Sequence, residues 1–92
     1  MRYIISYDIS NDKRRRKVFK ILEGVGFRVQ YSVFEADLNR TQFTTLKKRL
    51  KGHVRPKSTD SIRYYPLDKE AVQKVEVVGQ DMSRTLGGLL IV

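Results

Sequence analysis

A chain of 92 residues is one domain, and so small a domain buries only about 60–65% of its extended surface, which makes its own core marginal. Nineteen Lys and Arg against ten Asp and Glu leave a formal charge of +9; because the cations cluster, this points to a polyanionic partner, most often nucleic acid, ahead of a merely basic soluble protein. The lack of cysteine excludes disulfides, a thiol nucleophile and a thiolate metal site, and a single histidine excludes a His-rich zinc site. No apolar run approaches the roughly 20 residues of a membrane span or the apolar core of a signal peptide, so no membrane is expected and the cytoplasm is the expected address.

The first element, Arg2 to Ile9, is rich in aromatic and β-branched residues and reads as a strand. Tyr3, Ile5 and Tyr7 point one way, and Ile4, Ser6 and Asp8 the other. Both sets start apolar, which predicts a central strand covered on both faces. Capping residues Ser10-Asn11-Asp12 follow, then five cations, Lys13 to Lys17. The spacing of Val18, Ile21, Leu22 and Val25 predicts a helix from Asn11 or Asp12 to Gly24. At about 100° per residue Arg14 and Arg15 fall within roughly 60° of Val18 and continue the core-facing stripe, whereas Lys13, Arg16 and Lys20 face solvent.

Phe27 to Leu38 is a long β segment whose apolar parity passes from Phe27, Val29, Tyr31 and Val33 to Phe34, Ala36 and Leu38. Side chains alternate every two residues, so the switch requires a bulge or bend near Ser32-Val33, dividing the segment into two strands or one broken strand. Asn39 with Gln42 three residues on announces a second helix, with a stripe of Phe43, Leu46 and Leu50, a second basic face of Lys47, Lys48, Arg49 and Lys51, and an end at Gly52. His53 to Asp60 is a polar loop. Ser61 to Leu67 is a strand closed by Pro66, Asp68 to Lys74 a short helical turn, and Val75 to Gly79 a further strand. Gln80 to Gly88 reads as a linker, and the aliphatic end Leu89 to Val92 as a strand that seeks a sheet edge in this chain or a second copy.

The expected fold is therefore α+β, a ferredoxin-like βαββαβ domain over residues 1–79, with residues 80–92 as linker and additional C-terminal strand. Both helices cover one sheet face. The other face needs a cover, which a second copy packed sheet to sheet supplies.

Asp8 at a strand end, beside a helix start full of positive charge, suits a site that handles phosphodiesters. On the residues alone, a structural Asx turn or cap leading into the helix is the reading they favour. Hydrolysis needs an activated water and something to absorb charge at phosphorus. His53 is the only histidine and lies far along the chain, so a two-histidine mechanism is excluded and a divalent metal is the remaining route. Magnesium suits a site of one or two carboxylates, and one chain offers Asp8 with Asp12 nearby. The remaining cations read as generic phosphate contacts or plain solvated charge. The five tyrosines read as packing residues or, alternatively, as stacking platforms on a sheet that reads RNA.

Tyr7-Asp8-Ile9-Ser10, the basic helix start Arg14 to Leu22 and above all RVQYSVFEADL (Arg28 to Leu38) resemble the CRISPR-associated Cas-two proteins, small adaptation nucleases, and the likeness runs from Met1 to about Val78. The resemblance implies a ferredoxin-like homodimer packed sheet against sheet, the C-terminal strand of each chain reaching the other's sheet. It implies that Asp8 meets its mate across the two-fold axis and binds a divalent cation such as Mg2+. It further implies metal-dependent endonuclease activity on single-stranded RNA or double-stranded DNA, and a bridging role beside the Cas-one integrase during spacer acquisition. Asp8 and Arg15 take the catalytic positions, Lys17 the next basic position of the helix, Arg28 the basic position two before QYSVF, and Phe34 the strand aromatic. Arg14, Arg15, Arg16, Lys17 and Arg28 then form the nucleic-acid-binding set. Two other functions stay open: a non-catalytic dimeric scaffold for duplex DNA, and a monomeric RNA reader using an open sheet.

Overall fold

The computed structural model describes residues 1–80, and the expected linker and terminal strand, from residue 81 on, lie outside the described residues. In chain order the elements are β1 (Arg2–Asp8), α1 (Asp12–Glu23), β2 (Phe27–Gln30), β3 (Val33–Asp37), α2 (Arg40–Lys51), β4 (Ser61–Leu67) and α3 (Lys69–Gln73). The sheet order is β2-β3-β1-β4, antiparallel throughout. This is the ferredoxin-like arrangement, in which β3 is inserted between the two strands joined by α1.

Local chemistry fixes the helix ends. The Asn11 side chain accepts from the Arg14 N–H at 2.9 Å and caps α1. Asn39 and Gln42 form a reciprocal capping box on α2, with both bonds at 2.8 Å. Asp68 caps α3 through the Ala71 N–H. The parity switch in the long β segment is resolved as a hairpin. Its two-residue turn is Tyr31-Ser32, with Ser32 left-handed at φ 65°, and the register slips at Val29, between Arg28 and Gln30. The bulge thus falls three to four residues before the expected position, and the turn takes up the rest of the switch.

Ile5 and Tyr7 of β1, Phe34 and Ala36 of β3, Val18 and Leu22 of α1, and Leu46 and Leu50 of α2 are buried together between the helices and one sheet face. Tyr3 stacks on Phe43 with centroids 4.0 Å apart, and Tyr64 meets Phe43 edge-on at 5.3 Å.

No helix among the described residues covers the opposite sheet face. Ile4 and Ser6 are half-buried there and Asp8 is exposed, opposite Tyr65, Arg63 and Ser61 of β4 respectively. At the far end of this face Arg2 donates Nε and Nη2 to the two oxygens of Asp37, at 2.7 and 2.9 Å, and Nη1 to Glu35 at 2.9 Å.

The strand expected at Val75 to Gly79 is absent. α3 caps at Lys74, and beyond it Val75, Val77 and Val78 are exposed, Val78 completely. The apolar spacing there is strand-like, but a strand needs a neighbour, and among the described residues none lies alongside.

Candidate nucleic-acid and metal site

The site grows from the end of β1. Alternation sends Tyr7 into the core and Asp8 to the open face. Asp8 pairs by backbone with Ser61. Its exposed carboxylate has no hydrogen bond or ion pair among the described residues, and no group of three or more potential metal-ligating His, Cys, Asp or Glu occurs among them. Asp12, the other acid near by in sequence, is spoken for: it is ion-paired with the Arg15 guanidinium, one helical turn on.

Arg15 also donates Nη1 to the Ile9 carbonyl at 3.0 Å and to the Ser10 carbonyl at 3.4 Å. It therefore braces the β1–α1 loop from the residue next to Asp8, with side-chain exposure of 31%. On β2 the Arg28 guanidinium sits between two rings, 5.3 Å from the Phe19 centroid and 5.4 Å from that of Tyr31. The Tyr7 backbone N–H donates to the Ser32 carbonyl at 3.1 Å. Burial raises the Tyr7 hydroxyl above the usual tyrosine range, while Ser32 and the charges of Arg28 and Arg15 act in the opposite direction.

Apart from Arg14, the residues named from the sequence thus fall into four settings. Arg15 and Arg28 join the same neighbourhood on the helix side of the β1 end. Asp8 stands on the other side of the sheet. Arg16 and Lys17 project into solvent at the start of α1. Phe34 is wholly buried, packed against Phe19 at 5.5 Å and Tyr7 at 6.4 Å.

Arg14 was expected to lead the core-facing stripe into the site. It instead donates Nη2 to Asp60 at 2.6 Å and Nε to the His53 carbonyl at 3.2 Å, and so pins the α2–β4 loop to α1. The Asp60 side chain is fully covered. Its Oδ2 takes Arg14 and, more weakly, the Arg55 N–H, and Oδ1 has no partner among the described residues. Asp60 does not stand out in the sequence, which also does not distinguish the exposed Tyr31 from the other four tyrosines. A cation on a core-facing stripe demands a covered counter-charge, and that requirement was the available signal for Asp60.

The Arg14 hydrogen bond holds the Asp60 carboxyl below the ordinary carboxylate range, and the Arg2 hydrogen bonds do the same for Asp37. Groups with depressed folded values stabilise the fold fully above the unfolded value of about 3.9, and that contribution is lost as pH falls through the lower folded value. Thermal melts between pH 7 and pH 2 are therefore expected to show a melting temperature that declines below about pH 4. Arg14→Gln removes the counter-ion of a covered carboxylate, so its destabilisation should be largest at neutral pH and shrink as Asp60 is protonated. A constant difference across that range would show that the pair carries no coupling.

The model of the family described as CRISPR associated protein Cas2 matches residues 1–75. A CRISPR-associated endoribonuclease Cas2 of Synechocystis sp. is 45% identical over 78 residues, covering 85% of this chain and 84% of the relative. The Thermus thermophilus protein of the same name is 42% identical over 78 residues, covering 85% and 82%. Among solved structures, Streptococcus pyogenes Cas2 superposes with a TM-score of 0.74 at 38% identity, over 86% of this chain and all of that one. A chain from a partial Cas6-RT-Cas1–Cas2 complex gives 0.75 at 26% identity, over 99% and 98%. With the split βαββαβ sheet, the strand-end Asp8 and the basic start of α1 in place, this chain belongs to the Cas2 family.

Proposed function

We propose that the chain is a metal-dependent endonuclease of CRISPR adaptation, cleaving RNA or DNA phosphodiesters in the cytoplasm as a homodimer and working beside a Cas1 integrase. The observation that carries this reading is Asp8: an exposed carboxylate with no hydrogen-bond or ion-pair partner among the described residues, at the end of β1 on the sheet face that no described helix covers. The relatives named endoribonuclease and the complex that pairs Cas2 with Cas1 support it.

The donor chemistry fits a hard divalent cation such as Mg2+, which takes oxygen ligands and keeps most of its waters, so that one carboxylate from each of two copies suffices. Such an ion lowers the pKa of a bound water and offsets charge building on the phosphate. Asp8 of each copy would hold it. Arg15 keeps the loop after Asp8 in shape. Arg28 offers a planar guanidinium fork suited to a phosphate, and Arg16 and Lys17 give sequence-independent phosphate contacts. The half-buried Ile4 and Ser6 face, with Tyr65 43% exposed beside them, supports sheet-to-sheet association. A non-catalytic DNA scaffold is the second reading, favoured by the likeness to a chain of a Cas1–Cas2 complex across nearly its whole length.

The test is cleavage of a defined single-stranded RNA and a defined DNA duplex with magnesium, run beside Asp8→Asn. Wild-type cleavage that disappears with chelator and falls about a hundredfold or more in the variant is the expected result, since the ion supplies several kcal/mol of transition-state stabilisation. Equal cleavage by both proteins removes Asp8 from the reaction. Loss of cleavage with retained integration of DNA in a Cas1 assay moves the chain to the scaffold reading.

A further inference from the structure

Four of the five tyrosines are accounted for by packing or by a polar contact. Tyr3 and Tyr64 pack on Phe43, Tyr7 is buried, and the Tyr65 hydroxyl accepts from Arg63 at 3.3 Å. Tyr31 is the exception. It stands at the tip of the β2–β3 hairpin with 73% of its surface exposed, and no other aromatic ring stacks on it among the described residues.

Its surroundings are built to hold it in place. Ser32 takes up the left-handed conformation that closes the turn, and its carbonyl is tied to β1 by the Tyr7 N–H. The Arg28 guanidinium covers one face of the ring and is itself backed by Phe19. The ring thus has one face toward a cation and is otherwise open, in a chain of net charge +9. Burying such a ring in the core would have been the cheaper arrangement for folding. Leaving it out, supported by a guanidinium, suits a flat apolar ligand attached to negative charge.

We propose that Tyr31, positioned by Arg28, stacks an unpaired nucleobase of the bound strand while Arg28 faces the adjoining phosphate. This rests on the nucleic-acid reading above and narrows it. A base inside a duplex already has both faces stacked and presents only its edges and backbone. A splayed or terminal base offers a free π-face, which any of the four bases supplies. The surface therefore selects single-stranded segments or frayed ends without selecting sequence. RNA and DNA share this chemistry.

The experiment uses the full-length chain, a fluorescein-labelled single-stranded 12-mer with an internal 2-aminopurine, and a blunt duplex of the same length, at one fixed salt concentration. Tyr31→Ala should weaken the single strand about tenfold and abolish the 2-aminopurine quenching, with duplex affinity within about twofold of wild type. Tyr31→Phe should behave as wild type. The salt dependence should be unchanged in both variants, because no phosphate contact is lost. Equal weakening of both probes, as an aromatic at an interface between two copies would give, overturns the proposal, and so does an unchanged single-strand affinity. If the wild-type chain binds neither probe and Arg16→Glu changes nothing, the nucleic-acid reading itself fails, a result distinct from the loss of the stacking role alone. Circular dichroism of each variant establishes that the exposed substitution leaves the fold intact.

Discussion

Phe34→Ala is expected to cost about 3–5 kcal/mol of folding stability, the range for truncating a buried aromatic. A domain of this size has roughly 5–15 kcal/mol in all, so the variant sits close to unfolding at 37 °C. The ring is wholly buried near the start of β3, meets Phe19 edge-on at 5.5 Å and Tyr7 at 6.4 Å, and lies opposite Ile5 in the register of β1. Little can collapse into the space it leaves, because the sheet behind it is rigid and both helices are fixed by their own buried leucines.

This bears on function as well as folding. The family resemblance marks Phe34 as a position that matters, and a side chain with no exposed surface cannot touch a substrate. Its effect must then run through the rings it packs against, Tyr7 and Phe19, and Phe19 in turn backs the Arg28 guanidinium. Urea denaturation and single-strand affinity measured on the same samples separate the two roles. Loss of affinity should follow the fraction unfolded, and Phe34→Leu, which keeps most of the volume, should recover both. A folded Phe34→Ala that no longer binds would instead give Phe34 a direct part in the site.

What the sequence made legible was what local chemistry decides. The Asn39–Gln42 capping box, the Asn11 cap and the stripes of α1 and α2 each depend on residues within one or two turns, and each is found in place. The parity switch in FRVQYSVFEADL required a break, and the hairpin supplies it. Partners distant in the chain were harder to see. The periodicity puts Arg14 on the inner side of α1, but it cannot show that the neighbour is Asp60, 46 positions away, and not the phosphate of a ligand. Arg15 likewise looked aimed at a site, and it first serves the loop beside it. At Val75 to Val78 the residues carry strand chemistry, yet a strand is a property of a pair. Asp8 shows the same limit in the opposite sense: the chain places it on an open face with no side-chain partner among the described residues, and the alternation along β1 cannot show what it meets there.

Gly26→Ala is the second change expected to act strongly, through space and not through backbone conformation. A Cβ at Gly26 would lie 2.2 Å from the Glu35 carbonyl oxygen and 2.8 Å from the Ala36 Cβ. Both obstacles are main chain or fixed to it, on a strand held by β1, so neither can swing aside. The cost, about 3 kcal/mol, should fall on β2, a four-residue strand that among the described residues pairs only with β3. Its displacement would break the Phe27–Glu35 and Arg28–Phe34 pairings and carry Arg28 and Tyr31 away from Phe19. Gly24→Ala is the matched control, since its Cβ would meet the Ile21 carbonyl oxygen at an ordinary 3.4 Å and should change stability by no more than about 0.5 kcal/mol. Hydrogen exchange gives the reading. Amides of β2 should exchange faster in Gly26→Ala while those of β1 stay protected, because β1 is flanked by β3 and β4 on both sides. Single-strand binding should then fall with the β2 amides even where the core remains folded. If Gly26→Ala is as stable as Gly24→Ala and binds as well, the close approach of α1's exit to β3 does not hold Arg28 and Tyr31 in place.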